Sequence, residues 1–135
     1  MQPPFLVIRP GVSFWVETDP PYDCTATLQA FEDGCFSETL WYDTKGGEWT
    51  VVDAKLKSRP SHLDRAMPWR RVAVALRFGP RAEADVGKVL SRIRQVLDTD
   101  NEFCEYLKAP VTDVWAQLSK ARTAADLIAL ARRHA

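Results

Sequence analysis

The stretch from Trp69 to Asp98 constrains the fold more than any other, because its apolar period changes midway. Val72, Val74, Leu76 and Phe78 alternate with Arg71, Ala73, Ala75 and Arg77. Period two, with branched and aromatic residues on one side, describes a strand with one face in a core. Gly79-Pro80 ends it, since proline donates nothing to a ladder, and Pro80 suits the first turn of a following helix. Val86, Leu90, Ile93 and Leu97 then recur at helical spacing, flanked by Val89 and Val96, while Lys88, Arg92, Arg94 and Asp98 fall away from the stripe. Glu83 and Asp85 stand in or near the first turn, where the helix dipole favours negative charge. The simplest arrangement lays the helical stripe on the Val72–Phe78 face. At about 1.5–3 kcal/mol per large side chain buried, that contact is the largest stabilising term legible in the chain.

Strand-like runs precede this unit. Residues 3–18 read as two extended pieces broken at Pro10-Gly11, with Phe14 and Val16 on one face. Residues 24–57 read as a three-stranded antiparallel meander: 24–31, a turn at Glu32-Asp33-Gly34, 35–42, a second turn at Thr44-Lys45-Gly46-Gly47, and 48–57. In the third strand Trp49, Val51 and Asp53 oppose Val52, Ala54 and Leu56. Residues 58–68 lack strand period and hold two prolines, so they form a loop with one helical turn around His62–Met67. Helical runs follow the long helix. Thr99-Asp100 can cap a short one carrying Phe103 and Leu107, and Val114, Trp115 and Leu118 share a face in the next. Thr123 with Asp126 opens the last. The expected class is α+β: an antiparallel sheet of about four to five strands packed by one long and about three short C-terminal helices. One domain is expected over residues 1–135, strand-rich in 1–78 and helical in 80–134.

Composition narrows the function classes. Hydrophobic residues make up 46% and charged residues 27%, which describes an ordinary globular chain and excludes a disordered one. No apolar run approaches the roughly 18 residues of a membrane helix. The N-terminus lacks a basic region and a long apolar run, so no secretory signal is expected. Cys24, Cys35 and Cys104 are odd in number and widely spaced, which argues for a reducing, cytoplasmic setting.

The net charge of zero conceals segregation. Residues 1–53 hold nine acids against two bases, a balance of −7; residues 54–81 hold eight bases against one acid, +7; the remainder holds eight of each. Either the acidic and basic strands are sheet neighbours that neutralise one another, or the acids gather on a shared outer surface that steers a partner.

Sites with chemistry are sparse. The two histidines and the scattered cysteines have no zinc spacing, and Asp19, Asp23 and Glu32-Asp33 do not form a calcium loop. A cysteine paired with His62 has no local signature, and cysteines are more often small buried apolar residues. No catalytic residue, cofactor or metal is assigned. Arg70, Arg71, Arg77 and Arg81 with Trp69 could form a basic aromatic patch, but a sequence pI near 6.7 argues against direct nucleic-acid binding. Trp69 and Trp115 are read as core.

Aromatics ringed by acids have the composition of a protein-binding hot spot. Trp41 and Trp49 bracket one turn together with Glu38, Asp43, Glu48 and Asp53, and these six residues are the candidate partner-binding set. Glu38 shares a strand face with Phe36 and Leu40, so either the Thr39 and Trp41 face packs inward, the simpler arrangement, or Glu38 is a partly buried acid with a shifted pKa. The expected function is a binding protein and not an enzyme, its partner a basic protein. Its most concrete form is a bacterial immunity protein that neutralises a toxin whose basic active site handles nucleic acid. The alternative is a small enzyme or small-molecule-binding domain with a pocket between sheet and helices, using Glu38, His62 or Tyr42. A homo-oligomer pairing acidic and basic regions head to tail is a third reading.

Overall fold

A computed structural model describes residues 2–21, 24–99 and 102–134. Asp23, a candidate calcium ligand, and Asp100, a candidate cap residue, lie outside them. Among the described residues seven strands form one curled antiparallel sheet: β1 (Phe5–Arg9), β2 (Ser13–Glu17), β3 (Thr25–Thr27), β4 (Leu40–Tyr42), β5 (Gly47–Leu56), β6 (Arg71–Phe78) and β7 (Ala82–Glu83). The spatial order is β2-β1-β4-β5-β6-β3, with β7 paired to the start of β5. The helices are α1 (Leu28–Glu32), α2 (His62–Ala66), α3 (Val86–Asp98), α4 (Glu102–Glu105), α5 (Val111–Leu118) and α6 (Ala124–His134). The class is therefore α+β as expected, with more strands and with two short helices between strands.

The strand FLVIR is buried on both faces: Phe5, Leu6, Val7 and Ile8 are each 0% exposed. Leu6 and Ile8 join Phe14 and Tyr42 beneath α3, α5 and α6. Phe5 and Val7 point the other way, into a second cluster with Trp41, Val51 and Val74. Trp41 stacks edge-on against Phe5 and Phe78, with ring centroids 5.4 Å apart in both pairs.

This division corrects the expected packing. The α3 stripe is buried at Val89, Ile93, Val96 and Leu97, but its partners are β1, β2 and β4, and not β6. Val74, Leu76 and Phe78 of β6 face the second cluster. Neighbours in sequence thus serve opposite cores. Asp85 caps α3, its carboxylate accepting from Gly87 N at 2.9 Å. Pro80 and Glu83 therefore precede the helix instead of opening it, and Ala82–Glu83 pairs with Gly47–Glu48.

Residues 24–57 are not a simple meander. The Thr27 hydroxyl accepts from Ala30 N at 3.1 Å and starts α1 where a strand was expected to continue. Leu, Gln and Ala are good helix formers, so a cap was enough to turn the chain. Glu32-Asp33-Gly34 is then a helix exit and not a hairpin. The three residues of β3 leave for the far edge, pairing Ala26 with Val72 of β6. The expected return strand is reduced to Leu40–Tyr42 after a run of turns.

In β5 the ladder slips between Val51, opposite Phe78, and Asp53, opposite Arg77. Val52 is the extra residue, and it stands 52% exposed. The bulge resets the side-chain parity, so Trp49, Val51, Ala54 and Leu56 all reach the same cluster. Without it, Asp53 and Lys55 would point inward. Deleting Val52 should close the ladder without changing which residues face the core. The deletion variant is expected to keep wild-type circular dichroism and a thermal midpoint within about 4–8 °C, equivalent to ~1 kcal/mol. An unfolded product would show that Val52 holds the strand by some other means.

Candidate functional site

The six candidate residues separate into two groups in space. The first is internal and organised by Asp43. Gly46, at φ +80°, turns the β4–β5 hairpin in a backbone region that side chains disfavour. The Asp43 carboxylate accepts from Lys45 N at 2.9 Å and Gly47 N at 2.8 Å through one oxygen, and from Trp49 Nε1 at 2.9 Å through the other. A Cβ on Gly47 would lie 2.5 Å from that second oxygen, so the approach requires glycine. Burial by itself would raise the pKa of Asp43; the three donors, with Arg81 nearby, outweigh it and hold the carboxyl below its ordinary 3.8.

Glu48 belongs to the same interior. Its carboxylate accepts from Tyr42 Oη and from Arg92 of α3, both at 2.7 Å, and Arg92 also donates to Tyr42 Oη. Burial, then the hydrogen bond to Glu48, push the Tyr42 phenol well above its ordinary pKa, so it is no base or nucleophile near neutral pH. The triad fastens the long helix to the sheet. Trp41 is 0% exposed, and its indole donates to the Thr39 hydroxyl at 3.2 Å. Trp41 is thus removed from the partner-binding set: it is the centre of a core, where flat aromatic area is best used. Both Asp43 oxygens and one Glu48 oxygen accept hydrogen bonds, and Trp49 is half-buried against Asp43.

The second group, Glu38 and Asp53, lies on the surface. Both line an open cleft of about 480 Å³ between the turns after α1 and the bulge of β5. Phe31, Phe36, Val51 and Ala54 contribute apolar walls. Glu38 is exposed and has φ +61°, uncommon for a residue with a side chain. Buried Thr39 holds the turn in this state: its hydroxyl donates to Phe36 O at 2.8 Å, and its carbonyl accepts from Val51 N at 3.3 Å. The Thr39–Trp41 face does pack inward, but Phe36 and Tyr42, expected on the outer face, are buried as well; Glu38 reaches solvent because it lies in a turn before β4. Among the described residues Glu38 makes no ion pair, whereas Asp53 lies 3.6 Å from Lys55 and across the ladder from Arg77.

The sequence signal missed Arg92, assigned to the solvent face of its helix, and missed the cleft walls at Phe31, Phe36 and Val52. No periodicity reports a bulge or a positive φ at glutamate. Of the residues expected to serve a sheet–helix pocket, Tyr42 is locked in the triad, His62 is exposed on α2, and Glu38 lines the cleft described above. A smaller cleft of about 210 Å³ lies between β2 and β3, lined by Trp15, Glu17, Cys35 and Arg71 among others. Burial raises the pKa of the Cys35 thiol, against a nucleophilic role. Trp69, expected in the core, is 65% exposed; Trp115 is partly buried with Arg94 stacked 5.0 Å from its ring. Among the described residues no three metal-binding side chains converge, and no helix is long and apolar enough to cross a membrane.

No protein-family model, curated protein or solved structure matches this chain.

The depressed pKa of Asp43 fixes a pH dependence. Its stabilisation is complete above about pH 4 and is lost as pH falls through the lower folded value. Asp43→Asn keeps an acceptor for the turn but sets an amide donor against Trp49 Nε1. Its expected cost at pH 7 is about 1–3 kcal/mol, with a flatter acid limb, read by urea unfolding between pH 2 and 7. Equal slopes in variant and wild type would exclude the assigned role.

Proposed function

We propose that this chain is a stoichiometric protein-binding protein whose partner inserts a lysine or arginine side chain into the cleft at Glu38 and Asp53. The observation that carries the reading is the pairing of an exposed, unpaired Glu38 carboxylate with apolar walls beneath it. Lysine and arginine carry long methylene stems below a charged head, and such a stem lies well on Phe31, Phe36 and Ala54 while the head meets the rim acids. The uncommon backbone of Glu38, held by the Thr39 anchors, fits a side chain aimed for contact and not left to fold economy.

The partner-binding set is accordingly reduced from six residues to Glu38 and Asp53, with Asp43, Glu48 and Trp49 as the scaffold behind them. The narrowest version of the reading is an immunity protein that blocks a nucleic-acid-handling toxin, since a phosphate-binding site offers lysines and arginines to a complementary acid. An enzymatic reading has less support: among the described residues no histidine or cysteine lines the larger cleft.

With the partner captured from the native host, Glu38→Lys is expected to weaken its affinity tenfold or more, about 1.4 kcal/mol. Glu102→Lys, on α4, should leave the affinity unchanged. Titration calorimetry of both variants decides: equal affinity for wild type and Glu38→Lys would remove the cleft from the interface.

A further inference from the structure

The basic segment neutralises the acidic one only in places, at Lys55–Asp53 (3.6 Å) and beside Asp43, where Arg81 lies nearby; much of the rest lines a separate surface. Because Val74, Leu76 and Phe78 face the inner cluster, Arg71, Ala73, Ala75 and Arg77 face outward, and all four are exposed. Across the ladder Lys55 lies opposite Ala75, and Lys57 donates its N–H to Ala73 O at 3.1 Å. Both lysines are exposed. Asp53 is the one acid that β5 adds to this face, against four cations. The two alanines leave the centre of the face flat, and no helix covers it.

The segment joining β5 to β6 extends the patch. Arg59, Arg65 and Arg70 are exposed there, and Arg70 lies 3.7 Å from Asp64. Trp69 stands two residues before Arg71 with 65% of its surface in solvent. Arg71 itself leans over β3, donating to Thr25 Oγ1 at 2.9 Å and Thr25 O at 2.8 Å. These are neutral acceptors; Arg71 also lines the smaller cleft, together with Glu17.

We propose that this face, formed by β6, the end of β5 and the segment between them, binds single-stranded nucleic acid. From Arg71 to Arg77 the cations span about 20 Å, six residues at ~3.3 Å each. That length suits a polyanion and is too long for one small anion. Lysines and arginines around a flat floor meet successive phosphates, and a solvent-facing indole beside them stacks an unpaired base. A duplex hides its base faces, which favours a single strand as the occupant. The sequence pI near 6.7 does not oppose this, because it averages a surface whose charges the fold keeps apart. The site borders the Glu38 cleft at Asp53, which lines that cleft and pairs with Lys55.

The test is fluorescence anisotropy of the full chain with a labelled 20-nucleotide oligo-U RNA and the matching oligo-dT, across a salt titration. Binding is expected with a slope of log K on log salt near −2 to −3, as three to four phosphate contacts give at about −0.7 each. Lys55→Glu with Arg77→Glu should lower affinity at least tenfold and make the slope shallower. Trp69→Ala should lower it about fivefold to a hundredfold, the worth of one stacked base. Arg132→Glu on α6 should change nothing. All four positions are exposed or partly so, and circular dichroism confirms folding. Absence of binding at 20 mM salt would overturn the proposal. So would oligo-U affinity unchanged in the charge-reversed variant, or poly-glutamate binding as tightly as RNA with Trp69→Ala silent, which would mark an acidic protein as the occupant.

Discussion

Burial of β1 on both faces is the constraint from which the other features follow. Four consecutive side chains without solvent contact require an apolar layer above and another below. The helices α3, α5 and α6 supply one; the curl of the sheet, closed by Phe36 and Trp41, supplies the other. A flat sheet would leave Phe5 and Val7 in water. Each such exposure would forfeit about 1.5–3 kcal/mol, a large part of a small domain's margin. The bulge in β5 belongs to the same solution, since it keeps Ala54 and Leu56 on the concave side while the strand bends.

The two layers also decide the fate of the charges. Glu48 lies on the helix side of the sheet, under α3, where an unpaired carboxylate would be costly; Arg92 meets it there and Tyr42 completes the set. Asp43 is satisfied by turn amides and an indole. These acids are structural for that reason, and they leave the outer surface with fewer negative groups than the sequence holds. Lys55, Lys57, Arg71 and Arg77 lie on the convex side of β5 and β6, which the helical layer does not reach. The result is a molecule with a cleft rimmed by Glu38 and Asp53 beside a sheet face rich in lysine and arginine.

Local patterns carried much of this. The alternation in Arg71–Phe78, the stripe of α3, the break at Pro10-Gly11 and the Thr123–Asp126 start of α6 are each properties of a few neighbouring residues, and each is found in the structure. The apolar run Phe5–Ile8 is itself the mark of a strand covered on both sides. The Thr27 cap was harder to read, because the same eight residues alternate well enough for a strand, and one hydroxyl tips the balance.

By itself, then, the amino-acid order determined the α+β class, the identity of most long elements and the inward face of α3 and β6, because side-chain period is imposed by backbone geometry within one element. Which face meets which could not be read that way. The assignment of α3 to β1 instead of β6, the passage of β3 to the far edge, the slip at Val52 and the unusual backbone of Glu38 depend on contacts between residues far apart in the chain, and those exist only once the whole apolar surface is divided between two layers.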